Sequence, residues 1–507
     1  MATHAEKLAE SLDILTALQD KGRVAIRTGD LTRTHRQRLL SGGFIREVMK
    51  GWYIPSRPDE PVGDSTSWYA SFWDFCGEYL SERFGNEWCL SPEQSIGLHT
   101  GNRTVPKQLL VRSPRGNNKP TGLLHGTSVF DVRLDLPPQQ DVEVRDAVRI
   151  IILPAALISC APSHFVAQPA ALRAALAMVR DASDVLSRLL EGGHSKVAGR
   201  LAGAFRNIGR EQIADNITAT MQSAGYTINE SDPFEDRSPL AFSQRQTSPY
   251  VNRLRMTWTT MREDVLKIFP APPGLSGDAA GYLQKVEAIY AADAYNSLSI
   301  EGYKVSSDLI ERVRSGMWNP DNDKGDRDQR DALAARGYWQ AFQSVKQSID
   351  KAAHKENAGS IADADHATWH RELFGPSVTA GILKAGDLAG YRNGPVHIRR
   401  SMHVPPRPEA VRELMPAFFE LLQQDNEPAV RVVMGHFAFV YIHPYFDGNG
   451  RMGRFMMNLM MASGGYPWTI VPLERSAEYM NALESASVDQ DIKPFSRFLA
   501  SLIQLEK

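Results

Sequence analysis

His436-Phe437-Ala438-Phe439-Val440-Tyr441-Ile442-His443-Pro444-Tyr445-Phe446-Asp447-Gly448-Asn449-Gly450-Arg451-Met452-Gly453-Arg454 decides how the C-terminal half of this chain folds. An apolar helix leads up to His443. Pro444, Gly448 and Gly450 cannot continue it comfortably, and a second helix resumes at Gly450 with a body, Phe455 to Met461, that is apolar except for Asn458. The pattern predicts helix, turn, helix, with the turn at a helix N-terminus. Such an end offers unpaired N–H groups and the positive pole of the helix dipole, and glycines remove the Cβ atoms that would block an anion. Arg451 and Arg454 are three apart, so both reach an anion from one face. Asp447 is placed to hold a cation beside it, since one carboxylate plus phosphate oxygens is a common Mg²⁺ environment. His443, just before the cradle, can take a proton from an incoming hydroxyl near neutral pH. Each feature alone has an ordinary explanation: a turn dipeptide, a helix cap, arginines facing solvent. Gathered in twelve residues, they are better explained as one phosphate-handling site.

On these residues the window resembles the Fic motif, H-x-F-x-[D/E]-G-N-G-R-x-x-R, matched at His443, Asp447, Gly448, Asn449, Gly450, Arg451 and Arg454. The resemblance implies an all-α Fic fold with a small β-hairpin flap. It also implies transfer of AMP from ATP to a Ser, Thr or Tyr hydroxyl of a target protein, or of the chain itself, with release of pyrophosphate. By that resemblance His443 is the base and Asp447 binds Mg²⁺. The Gly448 to Gly450 amides and Asn449 hold phosphate, while Arg451 and Arg454 grip the triphosphate. The physical logic agrees, because phosphoryl chemistry needs mainly positioning and charge neutralisation. Tyr445 stands where the family usually has Phe, and its buried hydroxyl would need a partner.

Upstream, Asn296-Ser297-Leu298-Ser299-Ile300-Glu301-Gly302 ends a helix that starts near Asp278. It resembles the inhibitory motif [S/T]-x-x-x-E-[G/N] of self-restrained Fic proteins. Ser297 and Glu301 are four apart and share a helical face, and Gly302 suits a helix terminus. In the family this Glu pairs with the second motif arginine, here Arg454, which would remove a γ-phosphate partner and misplace the α-phosphate. Gly390-Tyr391-Arg392, Val396-His397-Ile398 and Ser401-Met402-His403-Val404-Pro405-Pro406 resemble the family's flap, a hairpin that adds a target segment as an extra strand. Arg400, Ser401, Met402 and His403 would line the nucleotide there. Glu478-Tyr479, Leu483 and Pro494-Phe495 resemble the segment covering the adenine, with Tyr479 as the contact, and Ser487 stands where relatives often carry Asn. The resemblance covers about residues 245–507, including an inhibitory helix at about 278–302.

The remainder is read from its own pattern. The chain has 507 residues, a soft prior of about three domains. Its 57 Lys plus Arg against 59 Asp plus Glu give a net charge of −2, and 42% of residues are hydrophobic, which excludes wholesale disorder and a polyanion-coating tail. Cys76, Cys89 and Cys160 are odd in number, far apart and lack metal-ligand spacing, so neither a disulfide framework nor a zinc module fits. A reducing, cytoplasmic compartment is the expectation, with no signal peptide and no membrane span. Ile150 to Ala161, interrupted by Pro154, is too short to span and reads as a buried strand and turn.

Leu8, Leu12, Leu15 and Leu18 predict a first helix. Asp30 is the expected cap of a second, through Leu39 and Leu40 to Gly42-Gly43, and Phe44 to Pro55 predict a hairpin around Lys50-Gly51. This suggests a winged helix over residues 1–60. It resembles the N-terminal region of AbiEi-type antitoxins at Asp30-Leu31, Gly42-Gly43-Phe44-Ile45 and Gly51-Trp52-Tyr53. Arg23, Arg27, Arg33, Arg36, Arg38, Arg46, Lys50 and Arg57 face only Asp30 and Glu47 between residues 23 and 57, the bias that DNA phosphates would need. A winged helix that binds protein through a solvated basic face is an equal reading. Residues 61–240 predict a mixed α+β region, helical from Ala167 to Ala224, without a catalytic constellation. His99, His125, His164 and His194 are scattered singly. A polar linker, Ser231 to Ser248, leads to the third domain, 245–507. The whole is mainly α and multidomain.

The leading reading is a protein adenylyltransferase restrained by Glu301. The alternatives are a DNA-binding or antitoxin-like regulator whose Fic half senses nucleotide, and a Fic-type phosphotransferase. A homo-oligomer is compatible with all three.

Overall fold

Apolar residues recurring every three or four positions become buried helix faces, and the structure, a computed structural model, describes residues 3–61, 63–236, 248–317, 330–388 and 390–505. It separates into two units: Met1–Pro249 with His397–Val404, and Tyr250–Val396 with Pro405–Lys507.

The first unit opens with α1 (His4–Asp20), β1 (Ile26–Arg27), α2 (Arg33–Ser41), β2 (Ile45–Met49) and β3 (Trp52–Pro55), the strands ordered β1-β3-β2 and antiparallel. Gly51, at φ +85°, makes the turn between β2 and β3. The cap of α2 is Thr32, whose hydroxyl accepts from the His35 amide, and not Asp30. Asp30 is diverted because its carboxylate accepts from the Arg27 amide at 2.8 Å and pairs with the Arg27 guanidinium.

α3 (Thr66–Phe84) and α4 (Pro92–His99) pack with a four-stranded sheet of β4 (Cys89–Leu90), β5 (Gln108–Ser113), β6 (Pro120–Gly122) and β7 (Ser128–Arg133), ordered β4-β5-β7-β6 with only β5 and β7 parallel. A hairpin, β8 (Val142–Arg145) and β9 (Val148–Ile151), follows. The expected turn after Ile151 is instead helix α5 (Leu153–Ser159). Pro154 sits in its first turn, where no N–H is required of it. Helices α6 (Pro162–Ala167), α7 (Pro169–Met178), α8 (Ser183–Glu191), α9 (Ser195–Asn207) and α10 (Glu211–Ser223) complete the unit. The first part of the expected linker is docked: Phe234 is buried under the Arg173 guanidinium, and Arg173 also pairs with Asp236 at 2.7 Å. Residues 237–247 of that linker lie outside the described residues. The three cysteines are buried and free, and burial pushes their thiols up, Cys89 to about 11 and Cys160 to about 12.

The long regular elements among the described residues of the second unit are helices: α11 (Pro249–Ile268), α12 (Ala279–Ile300), α13 (Ser307–Arg314), α14 (Arg330–Ala353), α15 (Ala358–Thr379), α16 (Pro408–Gln424), α17 (Pro428–Ile442), α18 (Asn449–Gly464), α19 (Ser476–Glu484) and α20 (Lys493–Leu505). α17 and α18 form a central antiparallel pair, each buried almost all round, with α14 and α15 packed against α18. Gly453 permits that approach, since a Cβ there would meet Val440 Cγ2 at 2.9 Å and the His436 ring at 3.2 Å. No helix among the described residues is long and apolar enough to cross a membrane.

The expected β-hairpin flap is not formed: no strand occurs among the described residues of the second unit. Residues 397–404 direct their main chain into the first unit instead. Met402 O accepts from the Val105 amide at 2.8 Å, the Arg400 amide donates to Thr66 Oγ1, and Arg399 pairs with Asp64 at 2.9 Å. Those bonds replace the cross-strand pairing a hairpin would need, and Pro395, Pro405 and Pro406 have no N–H for a ladder.

Candidate active site

The turn between α17 and α18 is made by its own side chains. α17 ends at His443, which adopts the left-handed region at φ 52°, ψ 60°. Asn449 then ties the turn shut: its Oδ1 accepts from the Tyr445 amide at 2.9 Å and its Nδ2 donates to Tyr445 O at 2.8 Å. Its side chain is therefore engaged with the backbone, leaving the main-chain N–H as its group for an anion. Gly448, at φ +83°, caps α18, which starts one residue earlier than the apolar pattern suggested. The first amides of α18 have no acceptor within the helix.

His443 is partly buried, and burial lowers its pKa to about 4, with Arg392 adding to the effect. Its Nδ1 lies 3.1 Å from Val440 O, so the proton sits on Nδ1 and Nε2 keeps its lone pair. Asp447 is exposed, while Arg451 is buried, with its guanidinium between the Tyr303 and Phe374 rings at 5.1 and 5.0 Å. The Arg451–Asp447 separation is 3.5 Å. Arg451 Nε and Arg454 Nη1 are buried without a hydrogen-bond partner among the described residues. Two buried cations with spare donors, at a helix N-terminus, form a pocket suited to a polyanion.

α12 supplies the remaining partners of Arg454. Arg454 Nε donates to Ser297 Oγ at 2.9 Å, and Nη2 donates to Ser297 O at 3.0 Å and to Glu301 Oε1 at 2.7 Å. Glu301 is the C-cap of α12 and Gly302 follows at φ +86°. A Cβ on Gly450 would lie inside the contact radius of Glu301 Oε1 and 3.3 Å from Arg454 Nη1. The Glu301 carboxylate thus lies directly over the first turn of α18.

Tyr479, on α19, is 1% exposed and its hydroxyl is 2.7 Å from His436 Nε2, so it stands behind the pocket beside Arg454. Ser487 is buried nearby in sequence, in the turn after α19. Arg400, Ser401, Met402 and His403 belong to the other unit, with Arg400 at φ +60°. Among the described residues there is no cluster of three or more His, Cys, Asp or Glu that could hold a metal alone. Asp447 is a single exposed carboxylate at the helix N-terminus, which fits an Mg²⁺ completed by phosphate oxygens.

Residues 363–461 match the family model described as the Fic/DOC family. The match takes in 99 of the 507 residues. The chain is similar to "Protein adenylyltransferase Fic" of Nematostella vectensis, 37% identical over 149 residues, 29% of this chain and 33% of that protein. It is similar to "Protein adenylyltransferase fic-1" of Caenorhabditis elegans, 30% identical over 216 residues, 42% of this chain and 39% of that protein. The matches thus span 33% and 39% of the length of these two relatives. Among solved structures, Fic-1 (aa134–508) from C. elegans is 20% identical with a TM-score of 0.36, covering 63% of this chain and 90% of that one. The Fic match takes in His443 through Arg454, while Ser297, Glu301 and Tyr479 lie outside it.

Sequence reasoning missed four residues around the candidate site. Tyr303 and Phe374 flank Arg451 from elements remote in the chain. His370 stacks on the Tyr445 ring with centroids 3.7 Å apart, and burial lowers its pKa to about 4. Arg392 was singled out only as part of a tripeptide. Its position two residues after a Gly gave no hint that its side chain ends on the carbonyls of α17.

The basic N-terminal segment also looks different once folded. Arg23 lies 3.9 Å from Glu78, Arg38 3.7 Å from Glu10 and Arg46 2.9 Å from Glu60, and Arg27 pairs with Asp30 and Glu82. Most of these acids fall outside residues 23–57, so a window of sequence could not weigh them.

Proposed function

We propose that this chain is a protein adenylyltransferase that moves AMP from ATP to a hydroxyl side chain of a protein target or of itself, releasing pyrophosphate. The observation that carries this reading is the pair of buried guanidiniums, Arg451 and Arg454, with donors to spare over the N-terminus of α18, next to an imidazole with a free Nε2. The target oxygen attacks the α-phosphorus, its proton passes to His443 Nε2, and the bond to the bridging oxygen breaks so that pyrophosphate leaves. The amides of Gly448 to Gly450 and the two arginines carry the charge that builds on the phosphate oxygens. Asp447 would hold Mg²⁺, whose part is to neutralise phosphate charge. Tyr479 lies in the segment proposed to cover the adenine and braces Arg454 from behind.

The Glu301–Arg454 pair restrains this activity. It engages an arginine that the triphosphate needs, and its carboxylate covers the turn where phosphate would bind. Residues 278–302 are the inhibitory helix, residues 245–507 the catalytic domain, and residues 61–240 a middle domain. Residues 1–60 form a winged-helix module. A protein partner suits that module better than DNA, because four of its arginines already face carboxylates.

The test is transfer from α-labelled ATP with Mg²⁺, read by intact mass, in wild type, Glu301→Gly and Glu301→Gly with His443→Ala. The expected result is an AMP-sized adduct in Glu301→Gly alone. A phosphate-sized adduct would point to phosphotransfer, and no adduct in any variant would end the reading.

A further inference from the structure

We infer that Arg392 is a positioning residue for the proposed transfer, one guanidinium that sets both the backbone carrying His443 and the two ends of the loop from Gly394 to Pro406. The inference rests on the adenylyltransferase reading for its chemistry. Its geometry stands independently. Arg392 is 1% exposed. Its Nε donates to His443 O at 2.8 Å, its Nη1 to Gly394 O at 3.1 Å, and its Nη2 to Pro406 O and, at 3.4 Å, to Ile442 O. Its own amide donates to Pro444 O at 2.9 Å. Every one of these bonds ends on a main-chain carbonyl.

The carbonyls of Ile442 and His443 close α17, where no intrahelical donor remains and the dipole is negative, so a cation is the natural cap. The cap has a second effect here. His443 occupies the left-handed region, which residues with a Cβ seldom hold unless their surroundings impose it. Arg392 grips the carbonyls before, at and after that residue and so fixes the direction in which the imidazole leaves the chain. The same planar fork holds Gly394 and Pro406, so the loop between them is anchored to the base-bearing backbone through one side chain. Lysine, a point charge on a flexible stem, cannot reproduce four directed bonds. Burial lowers the Arg392 pKa to about 10, against a smaller opposing pull from the Glu409 carboxylate.

The experiment compares full-length Glu301→Gly with Glu301→Gly carrying Arg392→Lys or Arg392→Gln. Transfer kinetics are read alongside hydrogen exchange by mass spectrometry. For a misdirected base, kcat is expected to fall about 10²-fold while the KM for ATP moves less than about threefold, because the phosphate cradle on α18 does not touch Arg392. Peptides covering 390–407 and 440–447 are expected to exchange faster together, with α14 and α15 unchanged. Lysine is expected not to rescue. A kcat within threefold of the parent in either folded variant would overturn the inference. So would a parallel loss of ATP binding with faster exchange across the whole unit, which marks a merely structural role. Should the Glu301→Gly parent transfer no AMP, the adenylyltransferase reading fails separately. Exchange then still decides whether Arg392 couples the two segments: acceleration of both peptides supports it, and acceleration confined to 390–407 refutes it.

Discussion

Glu301 and Arg454, 153 positions apart in sequence, meet at 2.7 Å over the first turn of α18. Arg454 is almost fully buried while Glu301 keeps a quarter of its side chain in solvent. This asymmetry matters energetically. Removing Glu301 leaves a buried guanidinium whose remaining named partners are the hydroxyl and carbonyl of Ser297, and an uncompensated buried charge is expensive.

Glu301→Gly should therefore lower the thermal midpoint of the nucleotide-free protein, with a loss of about 1–3 kcal/mol. ATP with Mg²⁺ should raise the midpoint of the variant by more than that of the wild type, since a ligand stabilises in proportion to its occupancy. Differential scanning calorimetry with and without nucleotide checks both. Equal ATP-induced shifts in the two proteins would mean that Glu301 does not compete with phosphate.

Gly450→Ala separates restraint from catalysis. A Cβ there collides with the end of the Glu301 side chain, which can swing away, so the pair with Arg454 should break. The methyl group would then occupy the space intended for phosphate. The expected outcome is a lowered midpoint like that of Glu301→Gly, without AMP transfer and with ATP affinity reduced at least about tenfold. Transfer by Gly450→Ala would show that the cradle lies elsewhere.

How much of this was legible beforehand depended on sequence distance. The α17 and α18 pair and the turn between them were readable because proline, glycine, carboxylate and arginine follow one another within one turn, where local rules hold. Ser297 and Glu301 could be placed on one face of α12, but their meeting with Arg454 came from resemblance and not from spacing. Residues 397–404 were misread as a hairpin because their hydrogen-bond partners, Thr66 and Val105, lie about three hundred positions away. Asp30 was misread as a cap for the opposite reason: a nearer donor, the Arg27 amide, took its carboxylate. The charge balance near the N-terminus was likewise only partly legible, since Glu78 and Glu82 lie beside Arg23 and Arg27 while Arg33, Lys50 and Arg57 stay exposed.

Tyr445→Phe should stabilise the protein. The ring is buried against His370, and its hydroxyl has no partner among the described residues, so desolvation of that group is uncompensated. Removing the oxygen should gain about 1 kcal/mol, or about 2–4 °C in the midpoint for a unit of this size. Transfer should stay within about twofold. A midpoint lowered by the change would show that the hydroxyl is bonded in solution.

Asp293 gives the stability a pH signature. It lies on α12, buried, accepting from Tyr338 Oη at 2.6 Å and Trp468 Nε1 at 3.0 Å, and burial raises its pKa from 3.8 to about 6. Between those values the folded state binds more protons than the unfolded, so this group's contribution is full below pH 4 and is lost as pH rises through 6. Asp293→Asn should cancel that loss. The difference in unfolding free energy between variant and wild type should shift by an amount on the order of 1–3 kcal/mol from pH 4 to pH 7, in favour of the variant at the higher pH. Urea midpoints at the two pH values test it, and a pH-independent difference would rule it out.

His443 sets the pH dependence of the reaction itself. An imidazole in water titrates near 6.5 and would give transfer an acidic limb in the physiological range. Here burial lowers the pKa to about 4, so the ring is already neutral throughout pH 6–8, with Nδ1–H donated to Val440 O and Nε2 free. In the Glu301→Gly background the loss of a carboxylate that favours the charged form shifts the pKa further down, not up. Transfer at saturating ATP should therefore be flat across pH 6–8 and fall with unit slope only below about pH 5. The stability contribution runs in the same sense: with the folded pKa depressed, it is present above 6.5 and lost as pH falls toward 4. An inflection of kcat near 6.5 would place the base in a water-like environment and remove His443, as it is held at the end of α17, from that role.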